Sequence, residues 1–315
     1  MIASKKATPF WKKGIFCIRL NQEPSSRTTQ PIALGIDPGS KKEGFTVKSA
    51  AHTLLNINAD AVTWVKDAVE TRRTMRRSRR NRKTPCRQNL MNRSRGSLPP
   101  STKARWGWKL RIANWLLKMF PITAFVVEDV AAKTKKGCRK WNASFSPLEA
   151  GKKCFYSELQ KLGSLTLRQG YDTKALRDKF GLKKTSRKMA EVFSAHCVDS
   201  WVLANDVVGG HEKPENERLL CVTPLQFHRR MLHRMRPSKG GKRAAYGGTR
   251  SMGWKRGSLV RHPKLGITFL GGSSGIRLSL HSLRDGKRLS KSVKQSDCKL
   301  LSFNSWRTYP VLVGS

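Results

Sequence analysis

Acidic residues are what this sequence has least of. Asp and Glu number 20 against 64 Lys and Arg in 315 residues, a formal net charge of +44. A compact body with that excess repels itself unless a polyanion screens it, which points to nucleic acid as partner. Cysteines are few and scattered (17, 86, 138, 154, 197, 221 and 298), odd in number and without a Cys-x-x-Cys pair. That excludes a disulfide framework and a zinc ribbon or finger. Long apolar runs are missing as well. The most apolar region, Trp115 to Ala132, is broken by Lys118, Pro121, Glu128 and Asp129, which excludes a lipid-spanning helix. The opening residues carry lysines but no apolar stretch of the kind a secretory signal needs. No internal repeat is present. The expectation is a soluble, cytoplasmic protein in a reducing compartment, long enough for one large domain or two modest ones.

The apolar residues present are clustered. Residues 32–36 (IALGI) read as a strand ending in Asp37, and Gly44 to Val47 as the return strand of a hairpin. From Glu70 to Arg95 the composition turns to arginine: Arg72, Arg73, Arg76, Arg77, Arg79, Arg80, Arg82, Lys83, Arg87, Arg93 and Arg95, with Glu70 the only acid. Nothing breaks a helix there before Pro85, and arginine is a good helix former. A helix charged on every side is stable when phosphates surround it, and the arginine fork binds phosphate bidentately. After Pro99-Pro100, the spacing of Trp106, Leu110, Ala113 and Leu117 predicts a helix with one core-facing stripe. Residues 123–127 read as a strand ending in Glu128. Residues 133–190 are basic and mixed, with Gly151, Gly163, Gly170 and Gly181 as punctuation. Met189 to Val208 reads as one helix with Phe193, Cys197, Trp201 and Ala204 on its apolar face. Residues 209–217 read as a linker. Short strands follow, and Asp285-Gly286 signals a hairpin. In this part Trp254, Trp306 and Tyr309 read as packing residues before base-stacking ones. Arg250, Lys255 and Arg256, in a glycine-rich basic stretch, are the nucleic-acid contacts expected there.

With so few acids, their positions matter. Asp37 and Glu128 end apolar strands, and Asp199 sits within an apolar helix. Buried carboxylates without partners cost several kcal/mol each. They are therefore either tied to arginines or gathered around a hard divalent cation, which prefers oxygen ligands. His196 lies three residues before Asp199, on the same helical face. Spacing leaves two readings open: it orients a water or binds metal, or it donates to a backbone carbonyl. Asp129 points to the opposite strand face from Glu128 and reads as a salt-bridge partner, and Asp206 as structural.

IALGIDPGSKKEGFTV, FVVEDVAA and FSAHCVDSWVLAND resemble the three split motifs of RuvC-like nucleases, which have the RNase H fold. The run ETRRTMRRSRRNRK between the first two resembles the bridge helix of RNA-guided effectors. With FSPLEAGKKCFYSELQKLG, GYDTKALRDKFGLKK and YGGTRSMGWKRGSLVRHPKLG, residues 14–310 resemble the transposon-encoded IscB and IsrB families, which carry an RRXRR-type segment. The 67 residues between Glu128 and His196 contain no histidine, and an HNH nuclease needs histidines for its base and metal, so none is held there and IsrB is the nearer resemblance.

The resemblance implies an α/β, RNase H-like (RuvC-like) core, split by an arginine-rich bridge helix and followed by a small β-rich module. The expected division is 1–30 as a shortened N-terminal segment, 31–66 as RuvC-like part I and 67–100 as the bridge helix. Residues 101–210 hold parts II and III, 211–245 a basic linker, and 246–315 a module contacting target and flanking DNA. It implies Asp37, Glu128 and Asp199 as ligands of Mg2+, two ions with Mn2+ as substitute, and His196 as the catalytic histidine. It implies an OMEGA-type guide RNA as partner, and double-stranded DNA with a short flanking motif as target. The protein would be a monomer in a ribonucleoprotein, at the nucleoid when bound, nicking the displaced strand. The alternatives are a junction resolvase that works without RNA, and an inactive RNA-guided DNA binder.

Overall fold

The computed structural model describes residues 1–12, 14–23, 26, 29–82, 98–130, 147–226, 232–236, 238, 240–246 and 249–311. These fall into two units, one of 29–220 with 311, the other of 1–28 with 221–310. Among the described residues no helix is long and apolar enough to cross a membrane.

The chain opens with an antiparallel hairpin, β1 (Ala7–Lys12) and β2 (Ile15–Leu20). The larger unit then begins with β3 (Ile32–Asp37), β4 (Lys42–Ser49) and β5 (Thr53–Asp60), an antiparallel meander. Helices α1 (Trp64–Asn81) and α2 (Pro100–Leu116) follow. The chain returns as β6 (Ala124–Asp129), parallel to β3, and β7 (Ser164–Gln169), parallel to β6, with α3 (Pro147–Gln160) between them. The strands of this unit lie in the order β5-β4-β3-β6-β7. Three antiparallel strands joined through the first to two parallel ones make this an RNase H-like α/β fold. Helices α4 (Gly170–Lys179) and α5 (Phe193–Val208) complete it.

Helix α5 is the element that carries the core. Every residue from Ala195 to Asn205 is buried, because the helix is covered by β3 and β4 on one side and by Leu176, Phe180 and Leu182 on another. Its single predicted apolar face is therefore incomplete. The helix also begins at Phe193 and not at Met189, because Val192 has an extended backbone and its carbonyl accepts from Ala195. Close approach to the sheet depends on two residues without side chains. A Cβ on Gly35 would lie 1.9 Å from the Ser200 carbonyl oxygen, and one on Gly44 would lie 2.4 Å from that of His196. Thr46 Oγ1 adds hydrogen bonds to Ser200 Oγ at 2.8 Å and Asn56 Oδ1 at 3.0 Å.

Helix α2 departs from its predicted stripe. Trp106 and Ala113 are buried, but Leu110 and Leu117 are only half-buried, while Trp108, Lys109, Ile112, Trp115 and Leu116 are buried too. The cause is packing from two sides. Gly151 of α3 lies against Trp106, where a Cβ would come within 2.1 Å of the indole nitrogen. On the other side Trp108 Nε1 donates to the Asp60 carbonyl at 3.0 Å and Lys109 pairs with Glu43 at 2.6 Å. Gly151 thus serves helix contact inside α3 and does not interrupt the chain, and Gly170 stands at the first position of α4.

In the second unit the chain continues from β8 (Leu219–Pro224) into a hairpin of β9 (Leu232–Arg236) and β10 (Lys242–Tyr246). A two-residue ribbon follows, β11 (Arg250–Ser251) and β12 (Trp254–Lys255). Five strands then form an antiparallel sheet in the order β16-β15-β14-β13-β17. They are β13 (Leu259–His262), β14 (Gly266–Ser274), β15 (Arg277–His281), β16 (Arg288–Val293) and β17 (Lys299–Ser302). The last strand is β18 (Trp306–Val311). Val260, Leu270, Leu278, Leu280, Val293 and Cys298 form its core, with Trp254 packed against them. Trp306 and Tyr309 are buried. The hairpin at Asp285-Gly286 joins β15 to β16, with Gly286 at φ +73°. The N-terminal hairpin belongs to this unit: its turn glycine, Gly14 (φ +94°), sits so near Thr308 and Asn304 that no side chain fits.

Candidate active site

The site grows out of the sheet. Strands β3 and β6 are parallel, with Ile36 opposite Val127, so Asp37 and Glu128 come side by side at their carboxyl ends. In open α/β sheets such ends are where ligands bind. Helix α5 crosses β3 and β4 at contact distance, which brings Asp199 onto the same spot. One oxygen from each of Asp37, Glu128 and Asp199 lies within 4.8 Å of the others. Asp37 and Asp199 are buried and Glu128 half-buried. Gly170 opens the space beside Glu128, where a Cβ would stand 3.3 Å from Oε1.

His196 joins them. Its Nδ1 is 3.0 Å from Asp37 Oδ2 and its Nε2 is 3.0 Å from the Lys188 carbonyl. Two cations also reach the acids. Arg177, from α4, donates through Nη1 to Asp199 Oδ1, and Lys184, from the segment joining α4 to α5, donates to Asp199 Oδ2. Lys184 Nζ stands 3.7 Å from Asp37 Oδ2. Neither residue is distinguishable in sequence among so many basic ones, and only the fold separates them.

The acids divide the local charge unequally. Burial raises the Asp37 carboxyl, but the His196 hydrogen bond and the Lys184 charge outweigh it and hold the group below its ordinary range. Glu128 is pushed up to about 8, first by burial and then by the negative charges of Asp37 and Asp199, with Lys184 offsetting part of this. Like charges at this separation drive one carboxyl to keep its proton. The folded protein therefore holds a proton on Glu128 between the ordinary value of 4.5 and about pH 8, where the unfolded chain has lost it. That contribution to stability is complete below pH 4.5 and is lost as pH rises through 8. In chelator-treated protein, thermal melts across this window should show Tm falling with pH, and Glu128→Gln should flatten the fall. A wild-type profile no steeper than that of the variant would refute the assignment.

Three hard oxygen donors this close suit Mg2+ or Mn2+, which take carboxylates and leave positions for water and phosphate. A cavity of about 450 Å3 leads to Asp37, lined by Ser40 of the β3–β4 turn and by Thr102, Arg105, Trp106 and Lys109 of α2. Two neighbouring acids are structural. Asp129 accepts from Lys152 at 2.6 Å, Tyr156 at 2.9 Å and Gln169 at 2.9 Å, and Asp206 pairs with Arg168 at 2.7 Å.

The predicted nucleic-acid contacts lie elsewhere. Arg72, Arg73, Arg76, Arg77, Arg79 and Arg80 are all exposed on α1, which buries no residue, and exposed Arg82 caps it. Arg72, Arg76 and Arg79 surround a cavity of about 360 Å3 with Val69, Met75 and Pro100. Lys83 and Arg87 lie outside the described residues. Arg250 and Lys255 face each other across the β11–β12 ribbon, and Arg256 donates to the Gln226 carbonyl at 3.1 Å.

Residues 1–140 match the family described as RRXRR protein. The RRXRR match takes in Asp37, α1 and Glu128, and its letters stand in the sequence at Arg76-Arg77-Ser78-Arg79-Arg80. It fits the IscB and IsrB-type resemblance, and with the acidic triad it supports a RuvC-like nuclease. Among solved structures, T. thermophilus RuvC in complex with a Holliday junction substrate is similar at 14% identity and a TM-score of 0.32. That similarity covers 57% of this chain and 98% of the other. No curated protein matches the chain.

Proposed function

We propose that the protein is an RNA-guided DNA endonuclease that nicks the displaced strand of its target. The observation that carries this is the joint placement of Asp37, Glu128 and Asp199 within 4.8 Å, with a helix whose arginines are all exposed inserted between the strands bearing the first two. In this reading 31–66 and 101–210 make the nuclease, 67–100 the RNA-binding bridge and 246–315 the module for target and flanking DNA. The three carboxylates would hold Mg2+, a pair of ions by analogy with other phosphodiesterases, which supplies a nucleophilic water and stabilises the departing oxygen. His196, whose Nε2 donates to the Lys188 carbonyl, would orient a water or take its proton through Nδ1 once Asp37 turns from that nitrogen to the metal. Arg105, Thr102 and Ser40 line the approach to Asp37 and would receive the strand's phosphates. Guide RNA would wrap α1, pairing between guide and DNA would supply sequence recognition, and the guide-paired strand would stay uncut.

The test is a nicking assay with co-purified flanking RNA, a supercoiled plasmid bearing the guide match beside a randomised flank, and Mg2+. Guide-dependent open circles, broken on the displaced strand only and absent with Asp37→Asn, are the expected result. Cleavage of branched DNA after RNase treatment would replace the proposal with a junction resolvase. Guide-dependent binding without nicking would replace it with an RNA-guided binder.

The arginine helix gives a separate expectation. Replacing Arg72, Arg76 and Arg79 together by Gln should weaken RNA binding and flatten its salt dependence by about 2 in slope, near 0.7 per lost phosphate contact. Filter-binding at several salt concentrations measures this, and an unchanged slope would place the RNA off α1.

A further inference from the structure

The oxygens that would bind a divalent cation already have cationic partners from the protein itself. Asp199 uses one oxygen for Arg177 and the other for Lys184, and Lys184 also faces Asp37. Asp199 is 1% exposed, so it has no solvent shell of its own to offset its charge. A cation ligated by Asp37 and Asp199 needs the oxygens Lys184 holds, and an ammonium cannot stay beside it. The two residues are not equally tied down. Arg177 belongs to α4 and its side chain is mostly buried, whereas the Lys184 side chain is 27% exposed. The backbone around Lys184 is fixed at both ends. Leu182 packs in the core beside α5 and its N–H donates to the Arg177 carbonyl, while the Thr185 N–H donates to the Ser194 carbonyl. Only the side chain is left to move, and lysine has a flexible four-carbon stem ending in a compact charge.

We infer that Lys184 is an exchangeable counter-ion of the carboxylate cluster. It neutralises Asp37 and Asp199 until a divalent cation takes their oxygens, and then swings outward toward solvent, where the anionic oxygen of a substrate phosphodiester becomes its partner. This rests on the metal-site reading above. Its consequence is linkage: Lys184 opposes metal binding in the absence of nucleic acid and favours phosphate binding in the presence of metal.

The experiment uses the full chain and reads Mn2+ affinity by electron paramagnetic resonance, in parallel with thermal melts with and without Mn2+. Lys184→Gln is expected to bind Mn2+ at least about tenfold more tightly, since it removes a unit charge in contact with the ligands. Its Tm without metal should fall, and saturating Mn2+ should restore most of the loss. Lys184→Arg keeps the charge and should keep the wild-type affinity. In wild-type protein with 13C-methylated lysines, the resonance absent from Lys184→Arg should shift on adding Mg2+, which holds even if Lys184→Gln fails to fold. Equal Mn2+ affinity in wild type and Lys184→Gln, or an unmoved lysine resonance despite binding, would overturn the exchange alone. No Mn2+ binding by either protein, matching Asp199→Asn, would overturn the metal site as well.

Discussion

Asp37→Asn is expected to lower metal-dependent cleavage by on the order of 10³-fold or more while the fold persists. The carboxylate stands at the meeting point of the site, 3.0 Å from His196 Nδ1, 3.7 Å from Lys184 Nζ and hydrogen-bonded to Glu128. Asparagine keeps the shape and one acceptor for His196 but removes the charge that a hard cation needs. The same change has a second signature. The Asp37 charge is one of the causes that raise Glu128, so its removal should bring Glu128 down toward the ordinary glutamate range. Cleavage rate and the pH dependence of Tm should therefore change together: the first collapses, and the second loses slope between pH 4.5 and 8. Activity within tenfold of wild type would remove Asp37 from the site.

Gly35→Ala is expected to destabilise the protein strongly. A Cβ there lies 1.9 Å from the Ser200 carbonyl oxygen and 2.9 Å from the Ala204 nitrogen, both backbone atoms of α5. No side-chain rotation relieves such a contact, so the helix must lift off β3 by about an ångström, at a cost of about 3 kcal/mol or more. Asp199 and His196 ride on that helix, and a shift of this size at a reacting geometry costs about 10²-fold in rate. Urea denaturation gives the stability, with a fall in midpoint and an unchanged slope expected. A loss below about 1 kcal/mol would show that the sheet yields instead.

The sequence made the acids legible because it had so few. Twenty carboxylates among 64 cations leave little room for decoration, so Asp37 after IALGI and Glu128 after an apolar strand stood out. Strand ends show in the linear pattern because one residue's change from apolar to charged marks them. The arginine run was equally plain, and α1 is helical over Trp64–Asn81. The cations of the site were not legible. Arg177 and Lys184 look like every other basic residue until α4 and the segment after it are folded against α5. The central helix was half legible. Its residues read as apolar on one face, yet it is buried on all sides, a fact that depends on what packs around it.

Local chemistry thus determined what this protein has: a strand that ends in an acid, a helix that repels itself without phosphate, a basic surface too charged to stand alone. Those properties depend on neighbours in sequence, and sequence displays them. What met what was decided by tertiary structure. Gly35 and Gly44 owe their meaning to helix residues, Ser200 and His196, more than 150 positions further along the chain. Gly14 owes its own to Thr308, and the exchange we assign to Lys184 depends on two carboxylates carried by different elements. Burial and charge pairing act through space at a few ångströms, and only the folded backbone fixes those distances.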